Sequence, residues 1–69
     1  MTILTMNRHK ILSGVTDFYI KRIEHYNIFA IRDDTTYLIA SYDSYKDART
    51  EMENIFNALK NGEEYYCVG

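Results

Sequence analysis

Residues 27–48 read NIFAIRDDTTYLIASYDSYKDA, two apolar runs around an acidic turn and then a helix start. The run 27–32 is rich in residues that suit a pleated, half-buried surface, and so is the run 37–42. Between them stand Asp33, Asp34, Thr35 and Thr36. Aspartate side chains bond to nearby backbone N–H groups and tolerate turn geometry, so the chain is expected to reverse there. Pairing the two runs across a loop centred on Asp34 and Thr35 puts Phe29, Ile31, Leu38, Ala40 and Tyr42 on one face. Ile28, Ala30, Tyr37 and Ile39 fall on the other. A slip of one residue would mix the two sets. The first set is the expected seat of the helix.

That helix starts at Ser44. Ser44 followed by Asp47 approximates a capping box, with the shorter Asp in the place of Glu or Gln. Asp47 also suits the positive end of the helix dipole. Tyr45, Ala48, Met52, Ile55, Phe56 and Leu59 recur at the spacing of one buried stripe. Arg49 and Glu53 make an i, i+4 pair on the wet face, Lys60 suits the last turn, and Gly62 suits the residue after the C-cap. The helix is expected over about 44–61.

Working outward, residues 17–24 read as a strand, with a tight connection at 24–27. Residues 2–6 and 11–12 read as short extended pieces on either side of a turn at 7–9. Gly14, the only glycine before Gly62, fits a turn or bulge needing positive φ. Residues 65–68 are apolar enough to dock back as a short strand or ordered tail. The expected fold is α+β, one domain over 1–69: a small antiparallel meander of three to five strands with one helix packed on one face.

Composition narrows the class. The chain has 69 residues, 46% of them hydrophobic and 14% aromatic, too apolar for a disordered polymer. No apolar run approaches the roughly 18 residues of a membrane span. The N-terminal stretch lacks the form of a signal peptide, and one cysteine allows no internal disulfide. A globular domain of the cell interior is therefore expected. The net charge of −2 is unevenly placed. Residues 1–32 hold Arg8, Lys10, Lys21, Arg22 and Arg32 against Asp17 and Glu24, while residues 33–69 hold three cations against eight carboxylates.

Catalytic parts are missing from this pattern. His9, His25, Cys67 and the Asp33–Asp34 pair are the candidates for a metal, but no ligand spacing joins them, so no metal and no cofactor is expected. Cys67 has no histidine placed to activate it. Glu51 and Glu53 point in different directions along a helix, and there is no glycine-rich phosphate loop. No enzymatic activity is expected. Seven tyrosines suit contact surfaces, because tyrosine offers area at low entropy cost with a polar handle. Both faces of the meander carry apolar side chains, so either the N-terminal strands or the Tyr65–Val68 tail cover the second face, or a homodimer forms through Ile28, Tyr37 and Ile39, which is the expected outcome.

Residues 18–66 resemble a group of small phage and prophage proteins of Gram-positive bacteria. The stretches that carry the resemblance are 37–48, YLIASYDSYKDA, then Glu53 to Phe56, and Asn61-Gly62-Glu63-Glu64-Tyr65-Tyr66. The group shares a strand-to-helix junction of this kind, an amphipathic helix and a Gly-x-x-Tyr tail. The resemblance implies phage origin and action in the bacterial host cytoplasm, and no catalytic role for the shared residues. With the charge pattern, this leads to a stoichiometric binder of a host protein, such as an anti-defence inhibitor acting on a CRISPR complex. Asp33, Asp34, Asp43, Glu51, Glu63 and Glu64 would contact the partner, with Tyr65 and Tyr66 as anchors. Two competing readings remain. One is an oligomeric sponge for a signalling nucleotide, using Arg8, Lys10, Lys21, Arg22 and Arg32 with stacked tyrosines. The other is an assembly accessory protein of the phage. No membrane and no direct nucleic-acid partner is expected.

Overall fold

The computed structural model describes residues 1–6 and 10–68. The turn expected at 7–9, with Arg8 and His9, lies outside the described residues, as does Gly69. The order of elements is β1 (Thr2–Leu4), β2 (Ile11–Leu12), β3 (Asp17–Ile23), β4 (His25–Arg32), β5 (Thr35–Tyr42), α1 (Tyr45–Lys60) and β6 (Tyr65–Cys67). The strands form two three-stranded sheets, ordered β2-β1-β6 and β3-β4-β5. The second is the expected antiparallel meander. The first is mixed: β2 pairs antiparallel with β1, and the tail strand β6 pairs parallel with it. The α+β class and the single helix in the C-terminal half are as expected.

The turns are tighter than expected. Ile23 pairs with His25 across Glu24 alone, which takes a positive φ of 65°. Arg32 pairs with Thr35, so the second loop is Asp33-Asp34 only, with φ of 50° and 63°. Two successive positive φ values are the mark of the type I′ hairpin turn, whose twist matches that of the strands it joins. Thr35 and Thr36 belong to β5.

Register and bulge decide what is buried. Tyr37 pairs with Ala30 and Leu38 with Phe29, but Ala40 pairs with Ile28, so Ile39 is an extra residue in β5. A bulge of this kind leaves one residue unopposed and shifts the strand beyond it. Ile39 and Ala40, consecutive residues, are consequently both buried. The helix lies over the face of Ile28 and Ala30, which have no exposed surface, while Leu38 on the opposite face is 54% exposed. The expected assignment is therefore corrected. The set with Phe29, Ile31 and Leu38 faces out, the set with Ile28 and Ala30 faces the helix, and the bulge transfers Ala40 and Tyr42 to the covered side. The dimer surface expected at Ile28, Tyr37 and Ile39 is corrected with it. Ile28 and Ile39 belong to the chain's own core, and Tyr37 packs against that core.

The helix is capped at both ends. Ser44 Oγ accepts from the Asp47 N–H at 3.2 Å. At the other end Gly62 has φ of 73°, its N–H donates to the Leu59 carbonyl at 3.1 Å, and the Glu63 N–H donates to Ala58 at 3.0 Å. These two bonds make the full Schellman motif, which needs a residue free to adopt positive φ. The buried stripe is rotated from the expected one. Ala48, Ile55 and Ala58 are buried with Met52 partly so, whereas Tyr45, Phe56 and Leu59 are exposed. The small residues Ala48 and Ala58 let the helix approach the sheet closely, which leaves larger neighbours at the margin.

One core cluster joins Ile3, Leu12, Val15 and Val68 of the N-terminal region and tail to Ile28, Ala30, Ile39 and Ala40 of the meander and Ile55 of the helix. Truncating Ile28 to Ala should cost about 2–5 kcal/mol, the usual range for a fully buried isoleucine. Leu38→Ala should cost about 0.5 kcal/mol or less. Urea unfolding of the two variants checks the assignment of faces, and a larger loss from Leu38→Ala would reverse it. Asp34→Gly relieves a left-handed non-glycine residue at the preferred glycine position of the turn. A rise of a few degrees in melting temperature is expected, and a fall would contradict the type I′ geometry.

Candidate functional site

A chain of backbone hydrogen bonds gathers several segments at one end of the molecule. The Thr2 N–H donates to Glu64 O at 2.8 Å, the Val15 N–H to Met1 O at 3.1 Å, and the Thr16 N–H to Ile31 O at 3.0 Å. Asp17 is the cross-strand partner of Ile31, two residues before the Asp33–Asp34 turn. Leu59, on the last turn of α1, lines a groove with Thr16, Asp17 and Phe18. The returning helix thus delivers Glu63 and Glu64 to the end that already holds Asp17, Asp33 and Asp34. All five carboxylate residues are exposed.

The ion pairs among the described residues lie elsewhere, at His25–Asp43 and Arg49–Glu53. Lys60 and the chain's amino group are the cations nearest in sequence to this end, together with Arg32. Arg32 is turned inward: its guanidinium donates to Tyr37 Oη at 3.1 Å and to Ser13 O at 3.5 Å, and lies 5.1 Å from the centre of the Tyr37 ring. The end is accordingly acidic, and its carboxylates have no ion-pair partner among the described residues.

The expected contact residues divide in two. Asp33, Asp34, Glu63 and Glu64 share this end, and Tyr65, 72% exposed, follows directly on Glu64. Asp43 stands past the far end of β5, roughly 25 Å away at 3.3–3.4 Å per strand residue, with a side chain 97% exposed beside His25 Nδ1 at 3.2 Å. Glu51 and Tyr66 are half-buried and occupied with each other, the Tyr66 hydroxyl donating to Glu51 Oε1 at 2.6 Å. They hold β6 to the helix. Asp17 was missed as a site residue, because its place depends on the β3–β4 register. Phe56 and Leu59 were missed because their spacing read as core.

The Glu51 carboxylate also acts on Tyr42. That hydroxyl is buried and meets no acceptor in hydrogen-bonding geometry among the described residues. Burial first, and then the Glu51 charge, push its pKa up to about 12. Burial and the bond to Glu51 push Tyr66 higher still.

The basic residues are dispersed. Lys10 lies 4.9 Å from the centre of the Tyr37 ring that Arg32 also covers. Arg22 lies 5.4 Å from the Tyr26 ring, near the opposite end of the meander, where Tyr26 pairs with Tyr42. Lys21 pairs with Asn27 on the outer face. Arg8 is outside the described residues. The cations over Tyr37 and the cation over Tyr26 therefore lie at different ends of the meander. On the same outer face Tyr19 stacks on Phe29 at 5.3 Å, and Leu38 continues the row.

His25 is held beside Asp43, and Cys67 is exposed on β6. No cluster of three metal-ligating side chains occurs among the described residues. No helix among them is long and apolar enough to cross a membrane. Compared with protein families, with curated proteins and with solved structures, the chain matches none.

The tyrosine pair gives a pH dependence of definite sign. A phenol whose folded pKa is raised favours the fold fully below its unfolded value near 10, and that contribution is lost as pH rises through the folded value. Stability should fall between pH 10 and about 12. In an absorbance titration of tyrosinate, two of the seven tyrosines should ionise late. Glu51→Gln should bring both down and cost about 1 kcal/mol at neutral pH through the weakened bond to Tyr66. An unchanged titration in that variant would show that Glu51 does not act on the phenols.

Proposed function

We propose that this chain is a phage-encoded, non-catalytic binding protein that inhibits a bacterial host factor by occupying a basic surface of it. The observation that supports this reading is the acidic end, where Asp17, Asp33, Asp34, Glu63 and Glu64 gather without an ion-pair partner among the described residues. Unpaired carboxylates keep their field directed outward. Such a field speeds encounter with a basic partner and selects against acidic ones. Nucleic-acid channels of defence complexes are surfaces of this kind, and an anti-CRISPR activity in the host cytoplasm is the form the inhibition takes in this reading. The resemblance to small phage proteins points the same way.

The sponge for a signalling nucleotide is less well supported, since Lys10 and Arg32 sit on one tyrosine and Arg22 on another. The proposal is tested by infection of hosts that carry a nucleic-acid-guided defence system. Expression of the chain should raise phage survival. Reversal of Asp33, Asp34, Glu63 and Glu64 to Lys should abolish the effect, because it inverts the charge of the whole end. Reversal of Lys21 and Arg22 to Glu should leave it. Survival indifferent to the chain, or abolished by the second set and spared by the first, would overturn the proposal.

A further inference from the structure

A groove of about 190 Å³ runs between the C-terminal half of α1 and the start of β3. Phe18, Met52, Ile55, Phe56 and Leu59 line it, and Asp17 stands at its rim. Phe56 is 65% exposed and Leu59 43%. These are large apolar groups left in water on the helix side of the molecule. They are exposed because the close packing of Ala48 and Ala58 turns them off the core.

The groove adjoins the acidic end on two sides. Asp17 is paired with Ile31, two residues from the Asp33–Asp34 turn. The Glu63 N–H is bonded to Ala58, the residue before Leu59. An apolar cleft with one carboxylate, Asp17, in its wall and the acidic end beside it is complementary to one kind of segment, a bulky apolar side chain with lysines or arginines around it. The apolar group leaves water in the groove, while the cations remain at the wet rim, where opposite charge fixes orientation.

We propose that this groove is the anchor site for a basic peptide segment of the partner, which inserts one large apolar side chain between Phe18, Phe56 and Leu59. This inference rests on the reading of the acidic end as the contact surface, and it adds the chemistry that the partner must present.

The chain has no tryptophan, so a tryptophan in a peptide reports its own burial. The probe is a short lysine-rich peptide with one central tryptophan, alongside the same peptide with serine in that place. On mixing with the 69-residue chain, the tryptophan peptide should shift its emission to the blue and bind about tenfold or more tighter than the serine peptide. Phe56→Ser should abolish the shift, and Leu59→Ser gives the same reading should the first variant fail to fold. Leu38→Ser, on the opposite face, should bind as the parent does. Binding of both peptides equally, sensitive to lysine reversals at Asp33, Asp34, Glu63 and Glu64 but not to Phe56→Ser, would overturn the groove and leave the acidic contact surface standing. Absence of binding to either peptide would also overturn the groove, and the infection assay would then judge the acidic end by itself.

Discussion

Burial of the inner side of β4 is the constraint on which the other contacts depend. Ile28 and Ala30 sit on the central strand of the meander and have no exposed surface. A chain of 69 residues has one core to stabilise it, and domains of this size bury only about 60% of the surface their unfolded chains expose. The helix, the bulge in β5 and the small sheet each contribute cover over that strand. Tyr66 then ties β6 to Glu51 of the helix, so the last strand is fastened to two elements at once. Removing any one cover opens the same few side chains to water, and cooperative loss of the whole fold is the physical consequence.

The elements with local signals were legible from the residues. Ser44, Asp47 and Gly62 mark the helix ends because each satisfies or permits a specific backbone geometry within four residues of itself. The acidic pair at 33–34 marks the hairpin for the same reason. What was not legible was which face of the sheet the helix would cover. Ile28, Phe29, Ala30 and Ile31 are consecutive apolar residues, so alternation along β4 does not distinguish inside from outside. The bulge at Ile39 adds a second ambiguity, since an extra residue inverts the alternation beyond it. No turn residue marks it.

The same difficulty governed the helix stripe. Both Ala58 and Leu59 lie within reach of a core-facing stripe, and hydrophobicity alone favours the larger. The fold instead buries the alanines and leaves Phe56 and Leu59 outward. Close approach of the helix to the sheet lets more main-chain and small-side-chain atoms pack, at the cost of exposing bulk at the edge. The parallel pairing of β6 with β1 was legible only as an apolar tail, because the partner of a three-residue strand is fixed by tertiary contact rather than by its own sequence.

The placement of charge follows from topology more than from the charge count. A sequence that is basic first and acidic second suggests two halves that attract each other. Among the described residues, three of the four lysines and arginines of the first half lie over aromatic rings, Lys10 and Arg32 on Tyr37 and Arg22 on Tyr26. A cation over a ring face is held by the ring quadrupole and needs no carboxylate to fix it. The carboxylates of the second half are thereby left without those partners. The helix, running back along the sheet, adds Glu63 and Glu64 to a turn that already carries Asp33 and Asp34. Like charges so placed repel modestly in water, and that repulsion is relieved whenever a cationic surface approaches. The tyrosines and the acidic end are thus two sides of one arrangement, in which aromatic rings hold the cations and leave the carboxylates directed outward.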